Sequence, residues 1–195
     1  IARLNPGLGL PHRPIAVVHR SDGSGTTFTF TQFLSSGNSA WKAQVGSDLL
    51  VKWPVGEAVR GNSGVARTLE RTANSIGYVN RVEVSASALT LASVQNPAGR
   101  FVAPSPASVG AAVAAGRWEV ASGFDTSLVN SGGNDSYPIV AVIFALTSRR
   151  GGGTRGGMAR AFLEWSLVDG RAAAGRLGYT PYPPAVVRTG RAALR

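Results

Sequence analysis

The sequence predicts an α/β fold that is built around a parallel sheet. Apolar runs typical of buried strands alternate along the chain with helical patterns, which is the order that a parallel sheet with covering helices requires. The run at 138–147, PIVAVIFALT, is apolar on both faces, as expected of a central parallel strand. The chain has 195 residues, of which 44% are hydrophobic, so it can bury a core of this kind.

The first half of the chain predicts strands and helices in turn. Residues 1–14 are rich in proline and glycine and predict an irregular lead-in. Residues 37–61 are also loop-rich, with one possible strand before Pro54. The predicted elements of this half are a strand at 15–18, the possible strand at 49–53, a helix at 62–72 and a strand at 75–84.

The second half predicts mainly helices around the run at 138–147. In PSPASVGAAVAAG, Ser105 or Ser108 is placed to cap a helix that Gly116 ends. Residues 149–157, RRGGGTRGG, predict a flexible link. The helix predicted at 158–168 has Ala161, Phe162, Trp165 and Val168 near one face, and a short helix is predicted at 185–194.

Charge and composition limit the classes of function. The net charge is +10, and Lys42 and Lys52 are the only lysines. An excess of arginine fits the codon bias of a GC-rich genome, and it also fits an anionic partner such as nucleic acid, an acidic surface or a small oxyanion. Apart from Arg149, Arg150 and Arg155 the basic residues are scattered, which indicates a nucleic-acid footprint only weakly.

Other classes are excluded by what the sequence lacks. There is no cysteine, which rules out disulfides and thiolate metal sites. No apolar stretch approaches the roughly 18 residues of a membrane span. The chain begins at Ile1 without a basic-then-apolar signal peptide, so we expect a mature, processed or partial chain.

The segment HRSDGSGTTFTFTQFLSS, at 19–36, can form either a hairpin or a helix start. Residues 27–31 alternate polar and apolar side chains, as a half-buried strand does. The alternation stops at Gln32, whereas Phe30, Phe33 and Leu34 share one face of a helix, which Gly37 can end. We therefore predict a helix here.

A helix that starts in this loop would create an anion site. Its first N–H groups have no partner inside the helix, and they lie at the positive end of the helix dipole. Ser24 and Thr26 supply hydroxyls, Gly25 lets the backbone approach a ligand closely, and Arg20 offers a planar fork that Asp22 can hold. A strand–turn–helix corner without a ligand explains the same residues and remains open.

Other motifs do not fit this segment. A phosphate-loop nucleotide site requires lysine after its last glycine, and none follows Gly25. A nucleophile elbow has the pattern G-x-S-x-G, with glycines two positions before and two positions after the serine. Around Ser24 these positions are Asp22 and Thr26. His12 and His19 are the only histidines and lack metal-ligand spacing, so no catalytic or metal site is predicted.

The motif RSDGSGTT, at 20–27, resembles the phosphate-binding loop of the periplasmic phosphate receptor of bacterial high-affinity ABC transporters. Further segments resemble that family in its order and extend the resemblance over nearly the whole chain. They are IARLNPGLGLP (1–11), VKWPVG (51–56), GNSGVA (61–66), SIGYV (75–79), YPI (137–139), FLEWSLVDG (162–170) and LGYTPYPPAVV (177–187).

The resemblance implies a class II periplasmic-binding-protein fold whose two lobes hold inorganic phosphate by hydrogen bonds alone. Arg20, Ser24, Gly25 and Thr26 would be the ligands: Ser24 and Thr26 through hydroxyls and backbone N–H groups, and Gly25 through its N–H. Asp22 would orient Arg20. No cofactor is implied. The partner would be a membrane ABC permease, and the location periplasmic or secreted.

Family members are longer at the N-terminus, so the chain resembles the C-terminal two-thirds of the receptor. Residues 1–137 would form most of the second lobe. Residues 138–195 would return to the first lobe, whose N-terminal part, including an aspartate that accepts the proton of phosphate, has no match here. Two alternatives stay open: a secreted phosphatase-like relative of the same fold, and a basic nucleic-acid-binding module.

Overall fold

The structure is a computed structural model and describes residues 1–84, 88–118, 126–147 and 153–194. A 3-10 turn at Ala2–Leu4 lies in the otherwise irregular lead-in. Three parallel strands follow along the chain, β1 (Ala16–Arg20), β2 (Glu57–Val59) and β3 (Ser75–Gly77). They lie in the order β2-β1-β3, with β1 in the centre. The predicted parallel sheet is therefore confirmed, and its first strand runs to Arg20.

The segment after β1 is a helix, α1 (Gly25–Gly37), as predicted. Its threonines are accommodated in the helix with their hydroxyls bonded to carbonyls of the preceding turn: Thr29 donates to the Gly25 carbonyl at 3.0 Å and Thr31 to the Thr27 carbonyl at 2.9 Å. The predicted apolar face is only half-buried, and the most deeply buried side chains are Thr27 and Thr31. A short helix that the sequence did not indicate, α2 (Ser39–Gln44), follows at once.

Helix α3 (Asn62–Arg71) covers the sheet where a helix was predicted. It buries Val65 and Ala66, and Gly64 lets its backbone come close to the Val59 side chain of β2. Its first residue follows β2 after only two others, so the helix begins beside the end of β1. This position is what brings α3 to the site described below.

Two strand predictions in this half were wrong. Residues 49–53 lie outside regular structure, and the strand predicted at 75–84 ends at Gly77 because β3 pairs only with residues 16–18 of β1. The later part of that segment is a single helical turn, α4 (Arg81–Val84). Strand β2 itself lies in the stretch predicted to be loop.

A small hairpin and a capped helix follow. Strands β4 (Val94–Gln95) and β5 (Phe101–Val102) pair antiparallel. Helix α5 (Pro106–Ala115) begins with a capping box between Ser105 and Ser108 and ends at Gly116, as the sequence indicated. It packs on a cluster formed with residues from the next segment; the buried members are Ala112, Val113, Leu128 and Val140.

The strand predicted at 138–147 is not a strand in the structure. Its first residues join the α5 cluster, but Ile143 is 71% exposed and Leu146 is 97% exposed. No strand among the described residues lies beside it, and a strand forms only where neighbouring backbone groups take its hydrogen bonds. The pattern is therefore that of a central strand without neighbours in the described part of the chain.

The C-terminal region consists of α6 (Thr154–Leu167), α7 (Arg171–Arg176) and α8 (Pro184–Leu194). Helix α6 confirms the predicted helix at 158–168 and begins earlier, so 154–157 of the predicted link are helical; 148–152 lie outside the described residues. An ion pair between Arg191 and Glu164 joins α8 to α6 at 2.6 Å. None of the described helices is long and apolar enough to cross a membrane.

The apolar side of α6 faces outward. Met158 is 68% exposed and Phe162 is 63% exposed, and the ring of Phe162 stacks on Trp165 with 5.8 Å between centroids. A helix with this pattern ordinarily turns such residues to a core. The described part of the chain does not cover this surface.

Candidate functional site

The carboxyl end of β1 is the place where the predicted site residues meet. In a parallel sheet the segments that follow adjacent strands converge at one edge, and ligand sites of open α/β sheets lie there. Here the segment after β1 carries Asp22 and Ser24, the segment after β2 carries Gly61, and the segment after β3 carries Tyr78 and Asn80.

Arg20, the last residue of β1, is a buried cation held from two sides. Its Nε donates to Asp22 Oδ1 at 2.7 Å and its Nη2 to Asp22 Oδ2 at 2.6 Å, a bidentate pair. Its Nη1 donates to Asn62 Oδ1 at 2.8 Å. The side chain is only 9% exposed. A guanidinium has five N–H donors, so these contacts leave two for another acceptor.

Asp22 is the common partner of Arg20 and α3. Besides the guanidinium, its Oδ1 accepts the backbone N–H of Gly61 at 3.1 Å, immediately before α3. The hydrogen bond from Arg20, and after it the one from Gly61, hold the pKa of Asp22 well below its usual range. The same hydrogen bond raises the pKa of Arg20. Both groups therefore stay charged in the folded protein at any ordinary pH.

Ser24 caps α1 and leaves one helix-end donor open. Its Oγ accepts the backbone N–H of Thr26 at 3.2 Å and of Thr27 at 3.3 Å, which leaves its own hydroxyl proton free to donate. Within the described residues the Gly25 N–H has no partner, and no side chain or neighbouring loop lies within 4 Å of the place where a Cβ on Gly25 would be. The start of α1 therefore offers an unpaired backbone donor at an exposed residue.

Two backbone donors that the resemblance implied are already in use. The backbone N–H of Thr26 donates to Ser24 Oγ at 3.2 Å. The backbone N–H of Ser24 donates to the Leu49 carbonyl at 2.8 Å, so it is not available to a ligand, contrary to the expectation from the resemblance. The Thr26 hydroxyl donates to Asn80 Oδ1 at 3.0 Å, on the open side of the site. It can serve a ligand only by turning away from Asn80.

His19 is not placed to act as a base for Ser24. Its ring stacks on Trp53 with centroids 4.9 Å apart, and its Nδ1 lies 3.1 Å from the Arg20 carbonyl oxygen. Trp53 stacks in turn on Phe30 and Tyr78, at 6.4 and 5.6 Å. We call these four rings the aromatic cluster. It connects His19 of β1 to Phe30 of α1.

The site thus contains all five residues that the sequence singled out, together with residues that it missed. The missed ones that contact them are Leu49, Gly61, Asn62, Tyr78 and Asn80. Four of them directly follow β2 and β3, but the sequence did not predict where either of these strands ends. The motifs GNSGVA and SIGYV contain three of them, but no role had been assigned to either motif.

The arrangement can hold an oxyanion through hydrogen bonds. It combines a fixed guanidinium, the free N–H at a helix start, and two hydroxyls. The described residues contain no group of three histidine, aspartate or glutamate side chains suited to a metal ion. The guanidinium, the N–H and the hydroxyls can all donate hydrogen bonds to an anion.

The fold is that of a periplasmic-binding-protein-like α/β domain, as the sequence predicted. A protein-family model described as a PBP superfamily domain matches residues 5–169 of the chain. This match covers most of the chain, and the chain belongs to the PBP superfamily.

Two relatives that the chain matches in sequence are both named phosphate-binding protein PstS. The chain is 42% identical over 191 residues to the phosphate-binding protein PstS of Pasteurella multocida (strain Pm70), a match that covers 96% of this chain and 55% of that protein. It is 33% identical over 189 residues to the PstS of Methanocaldococcus jannaschii, covering 88% and 49%. The chain therefore spans about half the length of the curated relatives that it matches.

Solved structures agree on the fold. A high-affinity periplasmic phosphate-binding protein bound with phosphate (PfluDING) matches with a TM-score of 0.68 at 24% identity, over 92% of this chain and 57% of that one. A second structure, described as a DING protein, matches with a TM-score of 0.65 at 20% identity, over 92% and 58%. These likenesses establish the architecture around β1.

The depressed pKa of Asp22 gives a test of the ion pair. The stability that the charged carboxylate contributes is fully present above its unfolded pKa of about 4 and is lost as pH falls through the lower folded pKa. We expect Asp22→Asn to lower the free energy of unfolding at pH 6, and the difference from wild type to shrink below pH 4. Urea unfolding at pH 6, 4 and 2.5 measures this.

The control for this experiment is Glu70→Gln, which removes an exposed carboxylate of α3. Its effect should be small at every pH. A difference between wild type and Asp22→Asn that stays constant down to pH 2.5 would show that the charge of Asp22 does not stabilise the fold.

Proposed function

We propose that this chain is the phosphate-binding portion of a non-enzymatic receptor, which binds inorganic phosphate and delivers it to a membrane ABC permease. One observation carries the proposal: a guanidinium paired with Asp22 at the end of β1 is followed, five residues on, by a helix start whose Gly25 N–H has no partner among the described residues. The names of the relatives support phosphate as the anion.

In this proposal phosphate is held by Arg20, Ser24, Gly25 and Thr26. Arg20 gives its two remaining N–H groups, Ser24 its hydroxyl, and Gly25 its backbone N–H. Thr26 gives its hydroxyl once it turns from Asn80. Asp22 does not touch the anion, because its oxygens already accept from Arg20 and Gly61.

We further propose that the receptor is periplasmic or secreted and has two lobes. Residues 1–137 form most of one lobe, and 138–195 belong to the other together with an N-terminal part. The exposed apolar residues at 143–146 and on α6 support this division, because they have the pattern of a core that the described residues do not complete.

The alternatives receive less support from the same residues. A phosphatase needs a base near its nucleophile, and His19, the histidine nearest to Ser24 in sequence, lies in the aromatic cluster. A nucleic-acid module based on RRGGGTRGG would use an extended flexible segment, whereas residues 154–157 begin α6. Calorimetric titration with phosphate, with sulfate and with a short oligonucleotide, together with a phosphomonoester turnover assay, separates the three functions.

Arg20 provides the first test. A charge-assisted hydrogen bond contributes about 1.5–3 kcal/mol, so Arg20→Ala in the complete receptor should weaken phosphate binding by about ten- to a few hundredfold. Arg20→Lys should recover only part of this loss, because an ammonium cannot reproduce the fork. Isothermal titration measures both, and wild-type affinity in the two variants would refute the assignment.

Gly25 provides the second test. Because a Cβ at this position has open space around it, Gly25→Val should keep the fold while crowding a ligand at the helix start. We expect phosphate binding to be lost with an unchanged circular dichroism spectrum. Gly37→Val places the same side chain at the other end of α1, also in open space, and should bind normally. Retained binding in Gly25→Val would favour a corner without a ligand.

The third test concerns selectivity for phosphate. The donors described above do not distinguish phosphate from sulfate, since discrimination needs an acceptor for the phosphate proton, and Asp22 is occupied by Arg20. An acceptor that faced sulfate would be left unpaired, which produces large selectivity. This chain alone should therefore bind phosphate weakly and prefer it little over sulfate, because water also screens each contact on the open side.

Competition titrations on this chain, with and without the N-terminal half of the receptor, decide the point. Adding that half should restore both affinity and selectivity. Tight phosphate binding that sulfate does not displace from this chain alone would show that the acceptor lies among its own residues.

A further inference from the structure

The backbone N–H of Arg20 has no acceptor on the neighbouring strand, because β3 ends too early. Along β1 the N–H groups alternate between the two neighbours: Ala16 donates to the Asn74 carbonyl on the β3 side, and Ser21 donates to the Val59 carbonyl of β2. The Arg20 N–H therefore points to the β3 side. The last pair between these strands is Val18 with Gly77, so no strand carbonyl stands opposite Arg20.

The hydroxyl of Tyr78 takes the place of the missing strand carbonyl as the acceptor. It accepts the Arg20 N–H at 3.1 Å. The same oxygen lies 2.7 Å from the Thr27 Oγ1, where either group can donate. Thr27 is 1% exposed, and its own N–H is bound by the capping oxygen of Ser24. A single hydroxyl thus connects the end of β1 to the first turn of α1.

The ring of Tyr78 is held by the aromatic cluster. It stacks on Phe30 of α1 with 4.7 Å between centroids and on Trp53 with 5.6 Å. Offset aromatic stacking at these distances fixes the plane of a ring as well as burying it. The hydroxyl is therefore presented at a defined point, and its contacts with Arg20 and Thr27 do not depend on a mobile side chain.

We propose that Tyr78 is a positioning residue of the anion site. It fixes the separation between the Arg20 guanidinium, which extends from the end of β1, and the donors at the start of α1, which follow Thr27 and Ser24. It does not touch the anion. This inference rests on the proposed function, because it concerns the geometry in which Arg20 and Gly25 reach one ligand.

The test compares Tyr78→Phe with wild type in this chain, by nuclear magnetic resonance. Tyr78→Phe keeps the stacked ring and removes only the hydroxyl. Hydrogen exchange of the Arg20 amide should accelerate by about two- to tenfold, since one net hydrogen bond contributes about 0.5–1.5 kcal/mol and its acceptor is gone. The Ala16 amide, on the same edge of β1 but bonded to a backbone carbonyl, should exchange as in wild type.

Phosphate titration, followed by the amide shifts of Gly25 and Thr26, provides the second readout. Tyr78→Phe should weaken binding by about three- to tenfold. Thr27→Val should do the same, and the double variant should lose little more than either single one, because both act through the Tyr78 hydroxyl. Tyr179→Phe removes a phenol hydroxyl from an exposed tyrosine of the C-terminal region and should change neither readout.

The outcomes separate this inference from the proposed function. If wild type takes up phosphate and Tyr78→Phe binds it equally well, the positioning role is wrong while the site stands. Additive losses in the double variant would also overturn it, because Tyr78 would then act independently of Thr27. If wild type does not bind phosphate at all, the proposed function fails and this inference falls with it.

Discussion

A buried guanidinium needs an opposite charge and hydrogen-bond acceptors for its N–H groups. At the end of β1 the carboxylate of Asp22 provides both for Arg20. This ion pair fixes the position of more than the Arg20 side chain. Because the same carboxylate also takes the Gly61 N–H, the loop after β1 is tied to the start of α3, and Asn62 secures the guanidinium from that helix. The ends of β1 and β2 and the start of α3 therefore have one relative position.

The Arg20–Asp22 pair also determines which interactions the site can offer to an anion. Arg20 and Asp22 together carry no net charge, so the site presents directed donors instead of a local excess of positive charge. The +10 net charge of the chain acts at longer range, where it raises the rate of encounter with anions and is screened by salt. Under the proposed function, recognition of the anion depends on geometry at hydrogen-bond distance, so the separation between β1 and α1 matters.

Elements whose determinants lie within a few residues could be predicted from the sequence. Ser24 and Ser105 each start a helix through hydrogen bonds to residues three positions away or fewer, and both starts were predicted. The five site residues were recognisable in the sequence for the same reason, because they all lie within positions 20–26. Tyr78 was not, because its role depends on β3 ending at Gly77, and strand length is set by pairing with another part of the chain.

The failure at 138–147 has a different cause, which also bears on function. A run that is apolar on both faces reflects burial between two layers, yet Ile143 and Leu146 are exposed, as is the apolar side of α6. Under the proposed function the anion site is one-sided in the same way, because all the donors assigned to it lie at one edge of the sheet in this chain. Under the proposed function both observations have one explanation, since a second layer that completes the core would also form the opposite wall of the phosphate cleft.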